Sequence, residues 1–90
     1  MRHLFLAALL LAHSWYPPEC CSGVDCRPIP CDLVEQQDNG NYIYHAAFAE
    51  ITFAKEKAKP SRDGKCHGCW TSSLTGKGPG RCLFIPQSSV

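Results

Sequence analysis

The stretch ECCSGVDCRPIPC, from Glu19 to Cys31, places four cysteines within a dozen residues of a 90-residue chain. The chain has seven cysteines, Cys20, Cys21, Cys26 and Cys31 in this first group and Cys66, Cys69 and Cys82 in a second. A domain this small buries little apolar surface and is marginally stable without further support. Disulfides would supply that support, because each can add about 2–4 kcal/mol by restricting the unfolded chain.

The pairing of the cysteines is left open by the sequence. Because seven is odd, three disulfides leave one thiol, which either stays free or bonds a second chain. The choice of this thiol and the pairing of the other six cysteines together allow on the order of a hundred disulfide patterns. A disulfide between the adjacent Cys20 and Cys21 would be strained, so these two residues are expected to have different partners. Bridges between the two groups would tie the ends of the chain across its middle.

The start of the chain has the layout of a secretory signal peptide. Three residues with a basic Arg2 precede an apolar run, LFLAALLLA, that ends at Ala12. This run is too short to span a bilayer, and it has the length of a signal-peptide core. We expect residues 1–12 to be removed and residues 13–90 to form one disulfide-stabilised domain in the periplasm or outside the cell. Cleavage after Ser14 is the alternative, and the small-residue rule taken alone slightly favours it, because Ala12 and Ser14 are both small.

Charge argues against nucleic acid as a partner. Removal of residues 1–12 takes away Arg2 and leaves eight lysines and arginines against eight aspartates and glutamates. A formally neutral chain lacks the basic face that displaces counterions from a phosphate backbone. The expected partner is therefore a protein or another component of the cell envelope, with no membrane span after processing.

Turn and strand patterns predict a small disulfide-rich, mostly β fold. Residues 13–31 are rich in cysteine and proline and are predicted to be irregular. Asn39-Gly40 is a strong hairpin-turn signal. Residues 46–59 also fit a helical stripe, although Ile51-Thr52-Phe53 favours a strand. Short antiparallel strands are predicted at 33–36, 42–45, 50–54, 65–70 and 81–85, with a glycine-rich loop at 71–80.

Ser61, Asp63 and His67 are residue types that hydrolases use, and they lie close together in the sequence. Their spacing spans a turn and the beginning of a strand. We therefore expect Ser61 and Asp63 to bond backbone groups of the turn, and His67 to pack beside a disulfide. No catalytic residue is assigned.

A metal site built on the mature N-terminus is a second hypothesis. If His13 is the first mature residue, its α-amine and imidazole can bind one copper ion, which favours nitrogen donors. His45 or His67 would add a second imidazole, and a cysteine thiolate would add a soft ligand. The candidate set is His13, His67 and Cys69. The Cys66-x-x-Cys69 spacing fits zinc or thioredoxin-type chemistry less well, because no second such pair and no βαβ pattern accompany it.

Aromatic residues are numerous for so short a chain, and Trp15 and Tyr16 stand at the start of the mature region. Such residues dominate binding hot spots, and they also dominate small cores. The core is the simpler expectation for most of them.

Three blocks of the chain resemble a group of small, cysteine-rich exported bacterial proteins of unknown function. The first is HSWYPPECCSGVDC, residues 13–26, similar to a mature start H-x-W-Y-P-x-E-C-C-S-x-x-D-C. The second is PSRDGKCHGC, residues 60–69, similar to P-S-x-D-x-x-x-H-x-C, and the third is the cysteine beside an aromatic in residues 81–84. The resemblance implies that the leader ends before His13. It implies no activity.

The sequence thus predicts an exported module that is not an enzyme and acts through its surface. The alternative is a copper-binding or redox-active periplasmic protein that uses its N-terminal histidine. A small hydrolase or thiol oxidoreductase is the third and weakest hypothesis.

Overall fold

The structure, a computed structural model, describes residues 15–86. One helical turn and two short 3-10 turns, Cys31–Leu33 and Lys55–Lys57, interrupt eight short strands. The elements in chain order are α1 (Pro18–Cys21), β1 (Asp25–Ile29), β2 (Val34–Gln36), β3 (Tyr42–His45), β4 (Ala49–Phe53), β5 (Ala58–Pro60), β6 (Cys66–Trp70), β7 (Gly76–Pro79) and β8 (Cys82–Ile85). The expected small, disulfide-rich, mostly β fold is confirmed.

The strands form two four-stranded sheets. Sheet 1 has the order β1-β6-β8-β5, and sheet 2 has the order β2-β3-β4-β7. Most neighbours are antiparallel, but β5 pairs with β8 and β7 pairs with β4 in parallel. The predicted hairpin around Gly40 joins β2 to β3, with Val34 opposite Tyr44 and Gly40 in the left-handed region at φ 93°.

The main hydrophobic core lies where the two sheets pack together. Its buried residues come from both sheets and are Ile29, Ile51, Phe53, Cys66, Trp70 and Leu83. Strand β6 is buried along all five residues because both of its faces are covered. Successive side chains of a strand point to opposite faces. Cys66 and Trp70 therefore face this core, while His67 and Cys69 face the other side of sheet 1.

That other side is covered by the N-terminal segment that begins at Trp15. A second cluster of buried residues forms there, made of Cys20, Cys69, Cys82 and Phe84. Trp15, Tyr16, Val24 and Cys26 pack against it, half-buried. We call the covering segment, residues 15–26, the N-terminal layer.

Three disulfides connect the two cysteine groups, and they pair Cys20 with Cys82, Cys26 with Cys69 and Cys31 with Cys66. Cys26 and Cys69 are direct partners in the β1–β6 ladder. Cys20 and Cys21 are not bonded to each other, as expected, but Cys21 has no disulfide partner and remains a free thiol.

Three parts of the secondary-structure prediction are wrong. Residues 25–29 form β1 within the segment expected to be irregular, and residues 76–79 form β7 within the expected loop. Residues 58–60 form β5, which was not predicted. All three are edge strands. Proline is compatible with an edge strand, because its missing N–H can face away from the ladder.

The predicted signal peptide, both cleavage sites and His13 lie outside the described residues. Between Trp15 and Pro86, no helix is long and apolar enough to cross a membrane.

Candidate functional site

The N-terminal layer covers His67 of β6, which is 3% exposed and is the one buried polar side chain among the residues described. Both ring nitrogens have partners. Nδ1 lies 2.8 Å from the Tyr16 hydroxyl, and Nε2 lies 2.9 Å from each carboxylate oxygen of Asp63. Because a carboxylate only accepts, Nε2 carries a hydrogen and donates it to Asp63. In neutral His67, Nδ1 then accepts the hydrogen of the Tyr16 hydroxyl.

Aromatic rings pack around His67. The Trp15 ring lies edge-on with its centroid 4.8 Å away, and the Phe84 centroid lies at 6.4 Å. Trp15 and Phe84 also contact each other at 5.1 Å. Edge-to-face contacts of this kind are favourable arrangements of aromatic rings. They hold the imidazole in one orientation and keep water from its faces.

Asp63 lies in the turn that precedes β6, and its carboxylate receives several hydrogen bonds. Ser61 Oγ donates to Asp63 Oδ1 over 2.9 Å, and the Lys65 backbone N–H donates to the same oxygen over 3.0 Å. Burial by itself would raise the pKa of Asp63. The hydrogen bonds from His67, Lys65 and Ser61 outweigh it and lower the pKa to about 2.

The pKa of Tyr16 is shifted in the opposite direction, upwards. Burial raises the pKa of the Tyr16 hydroxyl, and the negative charges of Asp63 and Cys21 add to the effect. Its phenol therefore stays protonated and remains a hydrogen-bond donor to His67. The four residues Ser61, Asp63, His67 and Tyr16 form one continuous hydrogen-bonded chain.

These four hydrogen-bonded side chains do not have the geometry of a hydrolase triad. In a triad the serine hydroxyl is bonded to the histidine, which acts as its base. Here the Ser61 hydroxyl donates to Asp63, and the second nitrogen of His67 is bonded to Tyr16. With both nitrogens occupied and the ring buried, His67 is placed to fix Trp15 and Tyr16 onto sheet 1. The turn bonds expected of Ser61 and Asp63 are present, and the Tyr16–His67 bond is an addition that the sequence did not predict.

The Asp63–His67 bond predicts a pH dependence of stability. The pKa of Asp63 is about 2 in the folded protein, against about 3.9 for an aspartate in an unfolded chain. Its contribution is therefore present above about pH 4 and is lost as the pH falls towards about 2. The Asp63 side chain is 40% exposed, so screening by solvent holds the contribution below about 1 kcal/mol.

Urea unfolding of the wild type and of Asp63→Asn, measured at intervals from pH 6 to pH 2, checks this prediction. We expect the wild type to be the more stable at pH 6 and the difference to disappear near pH 2. Asp32→Asn, a change at an exposed aspartate of the first 3-10 turn, serves as the control and should follow the wild type throughout. A stability difference between Asp63→Asn and wild type that is constant over this range would contradict the assignment.

The candidate copper ligands are not brought together within the described residues. Cys69 is bonded to Cys26, so its sulfur is not a free thiolate ligand, and that part of the hypothesis is corrected. His67 has both nitrogens hydrogen-bonded, and His45 lies on sheet 2 between Glu35 at 2.9 Å and Glu50 at 3.5 Å. In residues 15–86 no group of three or more histidine, cysteine or acidic side chains is arranged to hold a metal ion. His13 lies outside this range.

Two features of the surface were not identified from the sequence. Cys21 is the free thiol, and its sulfur lies 3.3 Å from the sulfur of Cys26. Phe48, between β3 and β4, is 86% exposed. The burial of Phe84 beside Cys82 could be predicted in part, because residues two positions apart in a strand lie on the same face of the sheet.

Comparison with known proteins gives no match of any kind: no protein-family model, no curated protein and no solved structure matches the chain.

Proposed function

We propose that the chain is an exported, disulfide-stabilised module that acts by binding a protein or another component of the cell envelope and not by catalysis. Three disulfides in so short a chain are typical of proteins that fold in an oxidising compartment. The periplasm and the extracellular space are such compartments, and the apolar run before Ala12 supports export to one of them.

The observation that carries the binding role is the exposed ring of Phe48. It is one of two large apolar side chains in the described region that are exposed, with 86% of its surface accessible against 41% for Leu33. Burial of a phenylalanine ring on binding contributes about 1.5–3 kcal/mol. A residue of this kind can therefore dominate the affinity of a small interface.

The backbone around Phe48 is fixed even though its ring is exposed. The carbonyl of Phe48 accepts a hydrogen bond from Gly76 of β7 over 3.1 Å, and Ala46 donates to Ala49 over 2.9 Å to close the turn. A ring held on a fixed backbone loses little conformational entropy on binding, and such preorganisation increases affinity.

Charged side chains border this turn. Glu50 lies two residues beyond Phe48, and its carboxylate is 3.5 Å from His45 and 3.9 Å from Lys77. An apolar centre with a polar rim is the usual composition of a protein interface. The partner that fits is a protein with an apolar pocket for one phenyl ring, bordered by polar groups of either charge.

The enclosure of His67 supports a role other than catalysis. A general base must reach the substrate with a free nitrogen. Both nitrogens of His67 are hydrogen-bonded and the ring is buried. The side chains of Asp63 and Tyr16 are themselves hydrogen-bonded to this ring.

Site-specific photo-cross-linking tests the binding role. A benzophenone amino acid is placed at position 48 of the exported protein in producing cells, and at the exposed Arg62, in the turn between β5 and β6, as the matched control. We expect a discrete adduct from position 48 that is absent from position 62. Excess purified wild type should suppress the adduct, whereas excess Phe48→Ala should suppress it at least about tenfold less well.

Phe48→Ala should leave the free energy of unfolding within about 0.5 kcal/mol of the wild type, because the ring makes few contacts. The proposal is wrong if positions 48 and 62 give the same adducts, or if wild type and Phe48→Ala compete equally.

A further inference from the structure

The free thiol of Cys21 touches one of the disulfides. Its sulfur lies 3.3 Å from Cys26 Sγ, and Cys26 is bonded to Cys69. A disulfide bond is about 2.05 Å long. A movement of little more than 1 Å would thus bring the Cys21 sulfur to bonding distance of Cys26.

The chain on both sides of Cys21 is held in place. Cys20, its neighbour in α1, is bonded to Cys82, and the Arg81 guanidinium donates hydrogen bonds to the Glu19 and Ser22 carbonyls. The Val24 N–H donates to the Cys21 carbonyl over 3.3 Å.

Gly23 lies within this turn at φ 75°, a left-handed conformation that other residues rarely adopt. The turn brings the chain back so that Cys26 lies against Cys21. The contact between the two sulfurs is therefore a consequence of an anchored turn.

We propose that Cys21 and the Cys26–Cys69 disulfide form a three-sulfur exchange site. The Cys21 thiol loses its proton to solvent, and the thiolate attacks Cys26 Sγ. A Cys21–Cys26 bond forms as the Cys26–Cys69 bond breaks, and the Cys69 thiolate leaves and takes up one proton, which matches the proton lost at Cys21. The number of disulfides and of thiols is unchanged, so no oxidant or reductant is consumed.

The two disulfide isomers differ in how the N-terminal layer is attached. In the described isomer the layer is linked to β6 and β8, through Cys26–Cys69 and Cys20–Cys82. After exchange the disulfide to β8 is the one that remains, while β1 stays the ladder partner of β6. A thiol appears at Cys69, a position with no exposed surface.

The isomer described here is expected to predominate. Its Cys26–Cys69 bond joins residues that are direct partners in the β1–β6 ladder, so the fold itself holds these two sulfurs together. The Cys21 sulfur, in contrast, must move by more than about 1 Å from its 3.3 Å contact to bond Cys26. The exchanged form is thus a minor state.

Trapping of the thiol in the native wild-type protein tests the exchange. The oxidised protein is held at pH 8, quenched with acid, denatured, labelled with a maleimide at acidic pH and digested. After labelling, the disulfides are reduced, because Cys31–Cys66 joins the two peptides, and cleavage after Lys65 and Lys77 then separates Cys69 from Cys21. Fragmentation of the peptide 66–77 distinguishes a label on Cys69 from one on Cys66. We expect one label per chain, mostly on Cys21, with up to about a tenth on Cys69.

Label on Cys21 alone, however long the incubation, would overturn the proposal. Cys21→Ser is the control, and it should take up no label, because no thiol is left to start the exchange.

Two matched variants give an independent readout by counting thiols in the folded, oxidised protein. Cys69→Ala should contain none, because Cys21 and Cys26 become bonded to each other. Cys26→Ala should contain two, at Cys21 and Cys69, since the sulfur that Cys21 contacts has been removed. Two free thiols in Cys69→Ala would overturn the proposal.

Discussion

Replacing Cys20 and Cys82 together by alanine is expected to lower the free energy of unfolding by about 4 kcal/mol. This disulfide closes a sequence separation of 62 residues, larger than either of the other two. It joins α1 to β8 and, with them, the N-terminal layer to sheet 1. Both cysteines are buried, so their removal also loosens the packing around Phe84.

Cys21→Ala provides a control one residue away. It removes a cysteine of the same helical turn that takes part in no disulfide, and we expect a change within about 1 kcal/mol. Urea unfolding followed by circular dichroism measures both variants. Equal losses of stability in the double variant and in Cys21→Ala would show that the long disulfide has no special role.

Phe53→Ala is expected to have a second large effect, a loss of about 3–5 kcal/mol. Phe53 of β4 has no exposed surface and lies in the core between the two sheets. Its ring packs directly over the backbone of Gly80, so that a Cβ added at position 80 would collide with it. Gly80 in turn donates a backbone hydrogen bond to Thr52 over 2.8 Å, which holds the chain in place beneath the ring.

Because Phe53 and Gly80 are in contact, we expect their effects on the free energy of unfolding to be coupled, which a double-mutant cycle measures. Gly80→Ala alone should cost about 1–3 kcal/mol by overpacking. In Phe53→Ala/Gly80→Ala, the new methyl group enters the space that the ring has left, so the loss should fall clearly below the sum of the two single losses. Gly78→Ala, whose new Cβ would meet Leu74 and not Phe53, is the control and should be additive with Phe53→Ala. Additivity in the Gly80 pair would show that the ring and the glycine are not in contact.

The elements that were predicted correctly are those whose determinants are local. The Asn39-Gly40 turn and the alternating residues Tyr42–His45 define a hairpin within a dozen residues, and in the structure Val34 lies opposite Tyr44. The elements that were missed are determined by distant parts of the chain. The three residues of β5 are a strand only because β8 lies beside them, in parallel.

The prediction that β1 is irregular rested on its prolines and was also wrong because of contacts with a distant part of the chain. Pro28 cannot donate to a ladder, which argues against a strand in the interior of a sheet. In the fold, β1 is at the edge of sheet 1 and needs only one partner, β6. Whether a strand lies at an edge is a property of the assembled sheet, and it cannot be read from the local sequence.

In the candidate site, too, the local contacts could be predicted from the sequence and the long-range contacts could not. The bonds of Ser61 and Asp63 within their turn follow from spacing alone and were predicted. The bond between Tyr16 and His67 joins residues 51 positions apart. It depends on the path that Cys20–Cys82 imposes on the N-terminal layer. The disulfide pairing could not be chosen from the sequence, so neither this bond nor the contact between Cys21 and Cys26 could be foreseen.

Three disulfides between the two cysteine groups hold this small fold together, and we propose that they form outside the cytosol. The most direct test is the disulfide map of the protein recovered from the periplasm or the medium without added oxidant. The account predicts Cys20–Cys82, Cys26–Cys69 and Cys31–Cys66 in the predominant form, with one titratable thiol per chain. Disulfides confined within each cysteine group, or a folded protein whose seven thiols are all free, would contradict it.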